Sequence, residues 1–284
     1  MKISSPAKIN LFLMVKGRRK DGYHDIETLL CRVTLFDSIA IDFGGNGVRC
    51  SCSNPDVPDD EANLAHRAAV IFFSRLKTEK PRWQTGVRIE IEKHIPIGAG
   101  LGGGSSNAAS VLLALNEYFD DMFPCEELMH MGFSIGADVP FFIFKKPAIA
   151  RGIGERLTIY EGIKSFKVLL VYPGTHVSTA AVYKNLNLTL TNCEQKLNGL
   201  LFKNEQFSVQ RHLCNDLETS AEAMCPEISA IKASLIANGA EGSLMTGSGS
   251  GVFGLFSDAE NARQAYRRLS VNRGWHLFLA DMMI

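Results

Sequence analysis

Hydrophobic and polar positions follow two different periods along the chain. The β-type composition of 9–15 and 38–43 predicts strands, and Gly44-Gly-Asn-Gly47 predicts a hairpin turn after the second. Residues 63–76 have helical spacing, with Asn63 as the expected N-cap. Residues 87–93 alternate between apolar and charged, which is typical of a strand in a sheet with one solvated face.

The rest of the chain predicts strands and helices mixed in both halves. Helices are expected over 105–118 and 125–134, and another starts near Asp138. Later elements are a strand over 166–172, helices over 178–185, 194–202, 217–223 and 226–238, a strand pair over 242–246 and 251–256, a helix over 258–270 and a strand over 275–279. This mixture predicts an α+β fold. We place a domain boundary after the turn-rich residues 148–154, which gives an N-terminal domain over 1–155 and a C-terminal domain over 156–284.

Composition and charge narrow the class of protein. The chain is 46% hydrophobic and carries 30 basic and 30 acidic side chains, so nothing indicates a nucleic-acid or membrane-surface partner. No apolar run approaches the roughly 18 residues of a membrane span, and the N-terminus lacks a signal-peptide core, so we expect a cytoplasmic protein. The seven cysteines lack a Cys-x-x-Cys pair and the seven histidines are scattered, which predicts free thiols and no structural metal site. A monomer or weak homodimer is expected.

The stretch Pro96-Ile-Gly-Ala-Gly-Leu-Gly-Gly-Gly-Ser-Ser-Asn107 is the strongest chemical signal in the chain. Its glycines let backbone N–H groups converge on an anion, and the helix that follows adds partial positive charge. No lysine follows the glycines, which excludes a P-loop. The pattern Gly-x-Gly-x-x-Gly also occurs, with Asp120 at a suitable distance for a dinucleotide site. The alternating strand before it argues against that fold, so an NAD-binding oxidoreductase is the weaker alternative.

Several other residues could take part in catalysis or ligand binding, and the sequence alone does not assign their roles. Lys8 and Asn10 lie two apart on a strand and therefore share a face. Asp138 can be a helix N-cap and also a carboxylate that orients or deprotonates a hydroxyl, since the two interpretations are compatible. Asp21-Gly-Tyr-His24 is a tight turn followed by two side chains that can bind or stack. Gly247-Ser-Gly-Ser-Gly251 is either a plain hairpin or a second anion-binding nest that faces the first glycine loop.

Taken together, these motifs resemble the GHMP kinase superfamily. Pro6-Ala-Lys-Ile-Asn10, the glycine stretch, Gly136-Ala-Asp-Val-Pro140 and the late Gly-Ser-Gly loop occur in the family's order from end to end. The resemblance implies a two-domain fold with its active site in a cleft between the domains, and ATP-dependent phosphorylation of an alcohol. The motifs at 21–24 and 136–140 resemble the branch that phosphorylates the C2 hydroxyl of a cytidine diphosphate-linked methylerythritol, in the non-mevalonate isoprenoid pathway.

The alternatives within and beyond this family stay open at this point. A mevalonate- or homoserine-type kinase would share the glycine stretch but would not need a cytosine-binding Tyr-His pair. A non-catalytic nucleotide sensor on the same fold would be expected to lack Lys8 or Asp138, and both are present.

The resemblance also implies roles for individual residues. Asp138 would orient or deprotonate the hydroxyl, and Lys8 would keep that carboxylate ionised and polarise the hydroxyl. Mg²⁺ would arrive with ATP, since the helix after the glycines has no acid before Glu117 and offers only Ser105 or Ser106. The ATP phosphates would be held by Pro96, Ile97, Gly98, Ala99, Gly100, Leu101, Gly102, Gly103, Gly104, Ser105 and Ser106, with help from 247–251. The cytidine-linked substrate would contact Asn10, Tyr23, His24, Val177, Thr179 and Tyr183.

Overall fold

The computed structural model describes residues 1–79, 86–191, 193–194, 197 and 206–284. The helix predicted over 194–202 falls mainly outside these residues. The chain divides into two compact units, each built from separate stretches. The first unit comprises Met1–Ala7, Phe36–Ile95 and Gly102–Lys145, and the second comprises Lys8–Leu35, Pro96–Leu101 and Lys146–Ile284. The domain boundary after residue 155 stays a prediction.

The first two strands of the first unit are longer than the sequence indicates, and the strand predicted over 87–93 ends one residue earlier. The strands are β1 (Lys2–Arg18), β2 (His24–Phe43), β3 (Val48–Cys52) and β4 (Val87–Glu92), and β1 and β2 also supply residues to the second unit. In β4, Val87, Ile89 and Ile91 are buried and the residues between them are exposed, as the alternation predicts. One face of this part of the sheet is therefore core and the other is solvated.

The predicted hairpin at 44–47 is wrong. β4 lies between β2 and β3, antiparallel to β2 with Ser38 opposite Glu92 and parallel to β3. The turn bonds to the start of β4 instead of closing a two-stranded pair: the N–H of Gly44 donates to the carbonyl of Gly86 at 3.0 Å. Turn composition alone does not show that a distant strand occupies the position beside β2.

Helices cover the buried face of the first unit. They are α1 (Leu64–Glu79), α2 (Gly103–Tyr118), α3 (Cys125–Ile135) and α4 (Val139–Phe144). The Asn63 cap is confirmed, because its Oδ1 accepts the N–H of Ala65 at 2.9 Å. α1 packs on α2 through a face of alanines with Phe72 at its centre, and small side chains allow this close approach. α2 starts two residues earlier than predicted.

The second unit is a largely antiparallel sheet with helices packed on it. Its elements are β5 (Ala148–Gly152), β6 (Arg156–Ile159), β7 (Lys167–Tyr172), β8 (Cys214–Asn215), β9 (Gly242–Met245), β10 (Val252–Phe256), β11 (His276–Met283), α5 (Thr179–Lys184), a 3-10 helix (Leu188–Leu190), α6 (Val209–His212), α7 (Glu218–Glu222), α8 (Glu227–Ala237) and α9 (Ala259–Leu269). β11 pairs with both β2 and β7, and β10 lies between β7 and β9, so the predicted 242–256 strand pair is confirmed. The core of this unit includes Leu169, Val171, Ile228 and Phe256. Within the described ranges, every helix is too short or too polar to cross a bilayer.

The prediction of free thiols is wrong at one pair of cysteines. Cys193 and Cys214 form a disulfide, with their Cα atoms 5.7 Å apart. Cys214 reaches this position because β8 pairs with β1, which spacing in the sequence does not show. The other five cysteines are free. Burial raises the pKa of the Cys31 and Cys50 thiols to about 12, so these two are unreactive.

Candidate functional site

The second half of the glycine stretch forms an open helix start in the first unit. Gly102 has φ +70°, a left-handed conformation that suits glycine, and it directly precedes the 16 residues of α2. No side chain caps this helix. Gly104 is exposed, and Gly103 and Ser105 are partly exposed. Because the first N–H groups of a helix lack intrahelical partners, this end suits a phosphate.

The two serines at this helix start differ in what they can contact. Ser106 is fully buried, and its Oγ accepts a hydrogen bond from the Ser5 hydroxyl at 2.8 Å. Ser105 is only half-buried and lies near Gly136, where an added Cβ would be 3.7 Å from its Oγ. Ser105 is therefore the hydroxyl that lies beside the segment leading to Asp138.

Asp138 immediately precedes α4 and is half-buried. It occupies the N-cap position, but its carboxylate makes no capping hydrogen bond, and Pro140 stands in the first turn of the helix. Asp138 therefore holds the predicted N-cap position without a side-chain cap, and its catalytic role stays a prediction. Val139 and Phe141 are completely buried, which fixes the backbone on which the carboxylate is carried.

Lys8 and Asn10 lie side by side in the second unit, as their spacing predicts. Lys8 is 4% exposed, unlike an ordinary surface lysine, and its Nζ donates to Asn10 Oδ1 at 2.6 Å. Asn10 Nδ2 donates to Thr28 Oγ1 at 2.8 Å, and the Thr246 hydroxyl donates to Asn10 Oδ1 at 3.2 Å. Asn10 is 3% exposed, so its bonds serve first to hold the lysine.

The first half of the glycine stretch packs against the late glycine loop within the second unit. The N–H of Gly251 donates to the Ala99 carbonyl at 3.2 Å, and the N–H of Lys8 donates to the Leu101 carbonyl at 3.0 Å. A Cβ on Gly100 would collide with the carbonyl of Thr246. Residues 246–251 join the antiparallel strands β9 and β10, so the hairpin alternative is confirmed, with the turn itself buried. The anion-binding alternative stays a prediction.

Two aromatic rings of the predicted substrate group meet in the second unit. His24 stacks on Tyr183 with ring centroids 4.9 Å apart and planes at 28°, while Tyr23 is 61% exposed. Burial lowers the pKa of His24, and the charge of Arg18 lowers it further. A neutral imidazole at neutral pH can both donate and accept a hydrogen bond, which suits the edge of a base.

The remaining two residues of that group, Val177 and Thr179, hold the segment that leads to Tyr183. Thr179 Oγ1 and Ser248 Oγ are 2.7 Å apart, which ties the segment before Tyr183 to the late glycine loop. Val177 is 5% exposed and packs in the core of the second unit, so its side chain fixes the segment.

Sequence reasoning missed a buried polar cluster beside the helix start of the first unit. Asp37 is fully buried, Lys93 and Asn107 are nearly so, and all three are hydrogen-bonded to one another. The sequence did contain a signal for this cluster. In a strand every second residue lies on the same face, so Asp37 lies on one face with the core residues Ile39 and Ile41. A charged side chain is rarely buried on such a face unless it is paired.

Comparisons with known proteins agree on the family. The model of the GHMP kinase N-terminal domain matches residues 63–146, and the model of the GHMP kinase C-terminal domain matches residues 197–273. Both matches support the predicted two-domain α+β fold.

Similar proteins span the whole chain. A relative from Syntrophotalea carbinolica named 4-diphosphocytidyl-2-C-methyl-D-erythritol kinase is 45% identical over 98% of this chain and 97% of its own length. A crystal structure of 4-(cytidine 5'-diphospho)-2C-methyl-D-erythritol kinase is 34% identical, with a TM-score of 0.82 and complete coverage of both chains. A homoserine kinase structure from Cytophaga hutchinsonii, 18% identical with a TM-score of 0.77 over 99% of this chain and 94% of its own, shares the fold.

Proposed function

The chain belongs to the GHMP kinase family, and on that premise we propose that it transfers the γ-phosphoryl group of ATP to the C2 hydroxyl of 4-diphosphocytidyl-2-C-methyl-D-erythritol. The products are the 2-phosphate and ADP, in the non-mevalonate route to isoprenoid precursors. The structural observation that supports this substrate is the His24–Tyr183 stack, since mevalonate and homoserine contain no base for such a pair to bind.

The glycine-rich residues supply charge neutralisation without a P-loop lysine. Residues 96–106 direct backbone N–H groups at the phosphates, with the open start of α2 as their fixed end. Phosphoryl transfer depends on positioning and on stabilising charge more than on covalent chemistry by the protein. A rigid set of backbone donors therefore accounts for much of what the site must do.

Lys8 and Asp138 act on the acceptor alcohol. The C2 oxygen forms a bond to the γ-phosphorus while the bond from that phosphorus to the ADP oxygen breaks. The hydroxyl proton passes to Asp138 late in this step, and Lys8 stabilises the developing alkoxide. The hydrogen bond from Lys8 to buried Asn10 holds the ammonium in place for this purpose.

Mg²⁺ arrives with ATP in this proposal. In the described part of the chain, no group of three or more histidine, cysteine, aspartate or glutamate side chains is placed to hold a metal ion. Ser105 offers a partly exposed hydroxyl at the helix start, beside the segment of Asp138, and magnesium prefers oxygen ligands and retains waters. When bound, the ion neutralises charge on the β- and γ-phosphates.

The partner is a small molecule, and the protein works in the cytoplasm as a monomer or weak homodimer. A net charge of zero supports the absence of a nucleic-acid or membrane-surface partner.

The experiment that tests this function is ADP release with MgATP and 4-diphosphocytidyl-2-C-methyl-D-erythritol, with mevalonate and homoserine in parallel. Turnover with the cytidine-linked alcohol alone is expected. Turnover with another alcohol would keep the kinase chemistry and overturn the roles given to His24 and Tyr183. ATP binding without turnover of any alcohol would favour the nucleotide sensor.

The Asp138→Asn variant tests the catalytic carboxylate. We expect kcat to fall about a thousandfold, with an unchanged melting temperature, because a general base contributes on that scale. Asp258→Asn is the matched control: Asp258 also precedes a helix, but its carboxylate caps α9 through the N–H groups of Glu260 and Asn261. Activity of Asp138→Asn within a few-fold of the control would exclude an essential role.

A further inference from the structure

Asp37 is the most completely buried charge in the first unit to which the reaction assigns no task. It lies on β2 with 0% exposure. The antiparallel register of β2 and β4 sets Ser38 opposite Glu92, and one more step sets Asp37 opposite Lys93. A buried carboxylate is tolerated only where a counter-charge and hydrogen bonds satisfy it.

The carboxylate holds both chain segments that flank the glycine stretch. Oδ1 accepts the backbone N–H groups of His94 at 2.8 Å and Ile95 at 2.9 Å, just before the stretch begins. Oδ2 accepts from Asn107 Nδ2 at 2.9 Å, in the second turn of α2, and from the Lys93 ammonium. One side chain therefore fixes the position of α2 relative to residues 93–95.

The Lys93 ammonium lies directly beneath the start of α2. Its Nζ donates to Asp37 and, at 3.3 Å, to Asn107 Oδ1. A Cβ on Gly103 would lie 2.9 Å from Nζ, closer than such contacts allow. A side chain at residue 103 would therefore have to displace the end of this lysine, which Asp37 holds in place.

The same cluster reaches the serines of the helix start. Asn107 Nδ2 also donates to Ser5 Oγ at 3.0 Å, and Ser5 Oγ donates to Ser106 Oγ at 2.8 Å. Asp37, Lys93, Asn107, Ser5 and Ser106 form one chain of buried hydrogen bonds, which we call the Asp37 cluster. A buried polar network in which every member is satisfied makes its surroundings rigid.

We propose that Asp37 is a positioning residue for nucleotide binding: by holding residues 93–95 and α2 in one arrangement, it keeps the N–H groups of residues 103–105 aimed at the ATP phosphates. The proposal deepens the kinase function and rests on it. Glycine backbones have no stiffness of their own, so the alignment of these donors must come from the groups that hold both ends of the segment. Asp37 contacts no reacting atom and acts only through the segments it holds.

The Asp37→Asn variant is the direct test. The amide keeps the shape and can still accept from His94 and Ile95, but its NH₂ group would face two donors, Lys93 and Asn107. We expect the Kd of a non-hydrolysable MgATP analogue, measured by calorimetry, to rise about tenfold, the size of effect that losing one charge-assisted hydrogen bond produces. The KM of the cytidine-linked alcohol should stay unchanged.

Asn116→Ala is the matched control. Asn116 lies at the other end of the same helix, is also buried, and bonds both the N–H and the carbonyl of Phe123 at 2.8 and 3.0 Å. Its loss should lower the melting temperature and leave the Kd of the analogue unchanged. If both variants melt earlier and neither changes that Kd, Asp37 is merely structural and the proposal is overturned.

A second variant covers the case in which Asp37→Asn does not fold. Asn107→Ala leaves the Asp37–Lys93 ion pair intact and removes its hydrogen bonds to α2, together with the bond from Asn107 to Ser5. A Kd at least about threefold above wild type supports the proposal, and a wild-type Kd overturns it. Because this readout is nucleotide binding, it separates from the substrate assignment: a wild-type protein that binds the analogue without turning over the cytidine-linked alcohol would refute the proposed function alone.

Discussion

The two glycine-rich loops have similar composition and different structural roles. The first, over 96–104, runs into the 16-residue α2 through a left-handed glycine, and its last residues are partly open to solvent. The second, over 247–251, joins β9 to β10 and is buried throughout. Two features therefore determine whether the N–H groups of a glycine loop can bind a ligand: the element that follows the loop, and how deeply the loop is buried.

Each loop is nevertheless anchored by a carboxylate paired with a lysine, fully buried at Asp37 and partly exposed at Glu218. Asp37 and Lys93 hold the chain before the first loop. Before the second loop, Glu218 accepts the N–H of Met245 at 3.0 Å and the Lys232 ammonium at 2.6 Å. The second loop has a further anchor, because Asn215 Nδ2 donates to the carbonyls of Met245 and Gly247. We expect damage to the first anchor to appear in nucleotide binding and damage to the second in stability.

Replacing Gly100 by alanine should give the largest loss of stability, because the two loops meet there. The residue has φ +73°, and its new Cβ would collide with the carbonyl of Thr246. We expect a loss of about 3 kcal/mol in the free energy of unfolding, from backbone strain and overpacking together, and at least about a hundredfold loss in kcat/KM. Chemical denaturation and steady-state kinetics measure the two quantities.

Gly45→Ala tests backbone strain without the steric collision that Gly100→Ala also causes. Gly45 has φ +71°, and an added Cβ would have no neighbour within 4 Å, so only the strain of about 1–2 kcal/mol is expected. Its activity should match wild type. Equal losses in both variants would show that the contact between the loops has no consequence of its own.

Glu218→Gln should lower stability without changing nucleotide binding. The amide still accepts the N–H of Met245 but loses the charge that pairs with Lys232, so we expect a loss of about 2 kcal/mol in the free energy of unfolding. The KM of MgATP should change by less than about twofold. Glu260→Gln is the control, since Glu260 pairs with arginines at the surface and should contribute under about 1 kcal/mol. A rise in the KM of MgATP equal to that of Asp37→Asn would remove the distinction between the two anchors.

The sequence predicted the elements whose signals are local. The alternation in β4, the Asn63 cap and the pairing of β9 with β10 all depend on neighbours in sequence, and all three are confirmed. For the late loop, composition left open whether it is a plain hairpin or a nest facing the first loop, so its packing against residues 99–101 was not determined by local signals. Local patterns report the face of a strand or the end of a helix, and little else.

The failures share one physical cause, which is that strand order is not local. The predicted hairpin after β2 failed because β4, more than 40 residues away, occupies the neighbouring position. The Cys193–Cys214 disulfide depends on β8 pairing with β1. The sequence allows Asp37 to be recognised as a charged residue on the buried face of a strand. Its partner Lys93 can be identified only once the register of β2 and β4 is known.

The pH dependence of substrate binding gives the smallest expected effect and separates the loops from the stacked ring pair. Neither loop contains a titrating side chain, whereas the substrate pair contains His24, whose pKa is lowered by burial and by Arg18. The neutral ring is thus favoured in the folded protein, and the KM of the cytidine-linked alcohol should stay flat from pH 8 to about 6.5 and rise only below it, by at most about tenfold per pH unit. The free energy of unfolding should also fall as the pH drops below about 6.5, because the unfolded chain binds this proton more tightly than the folded protein does.

A KM profile for His24→Asn that is flat over the same pH range would assign the rise in KM to the His24 ring. A wild-type KM that already rises between pH 8 and pH 7 would contradict a lowered pKa and, with it, the neutral imidazole that the stack on Tyr183 presents to a base.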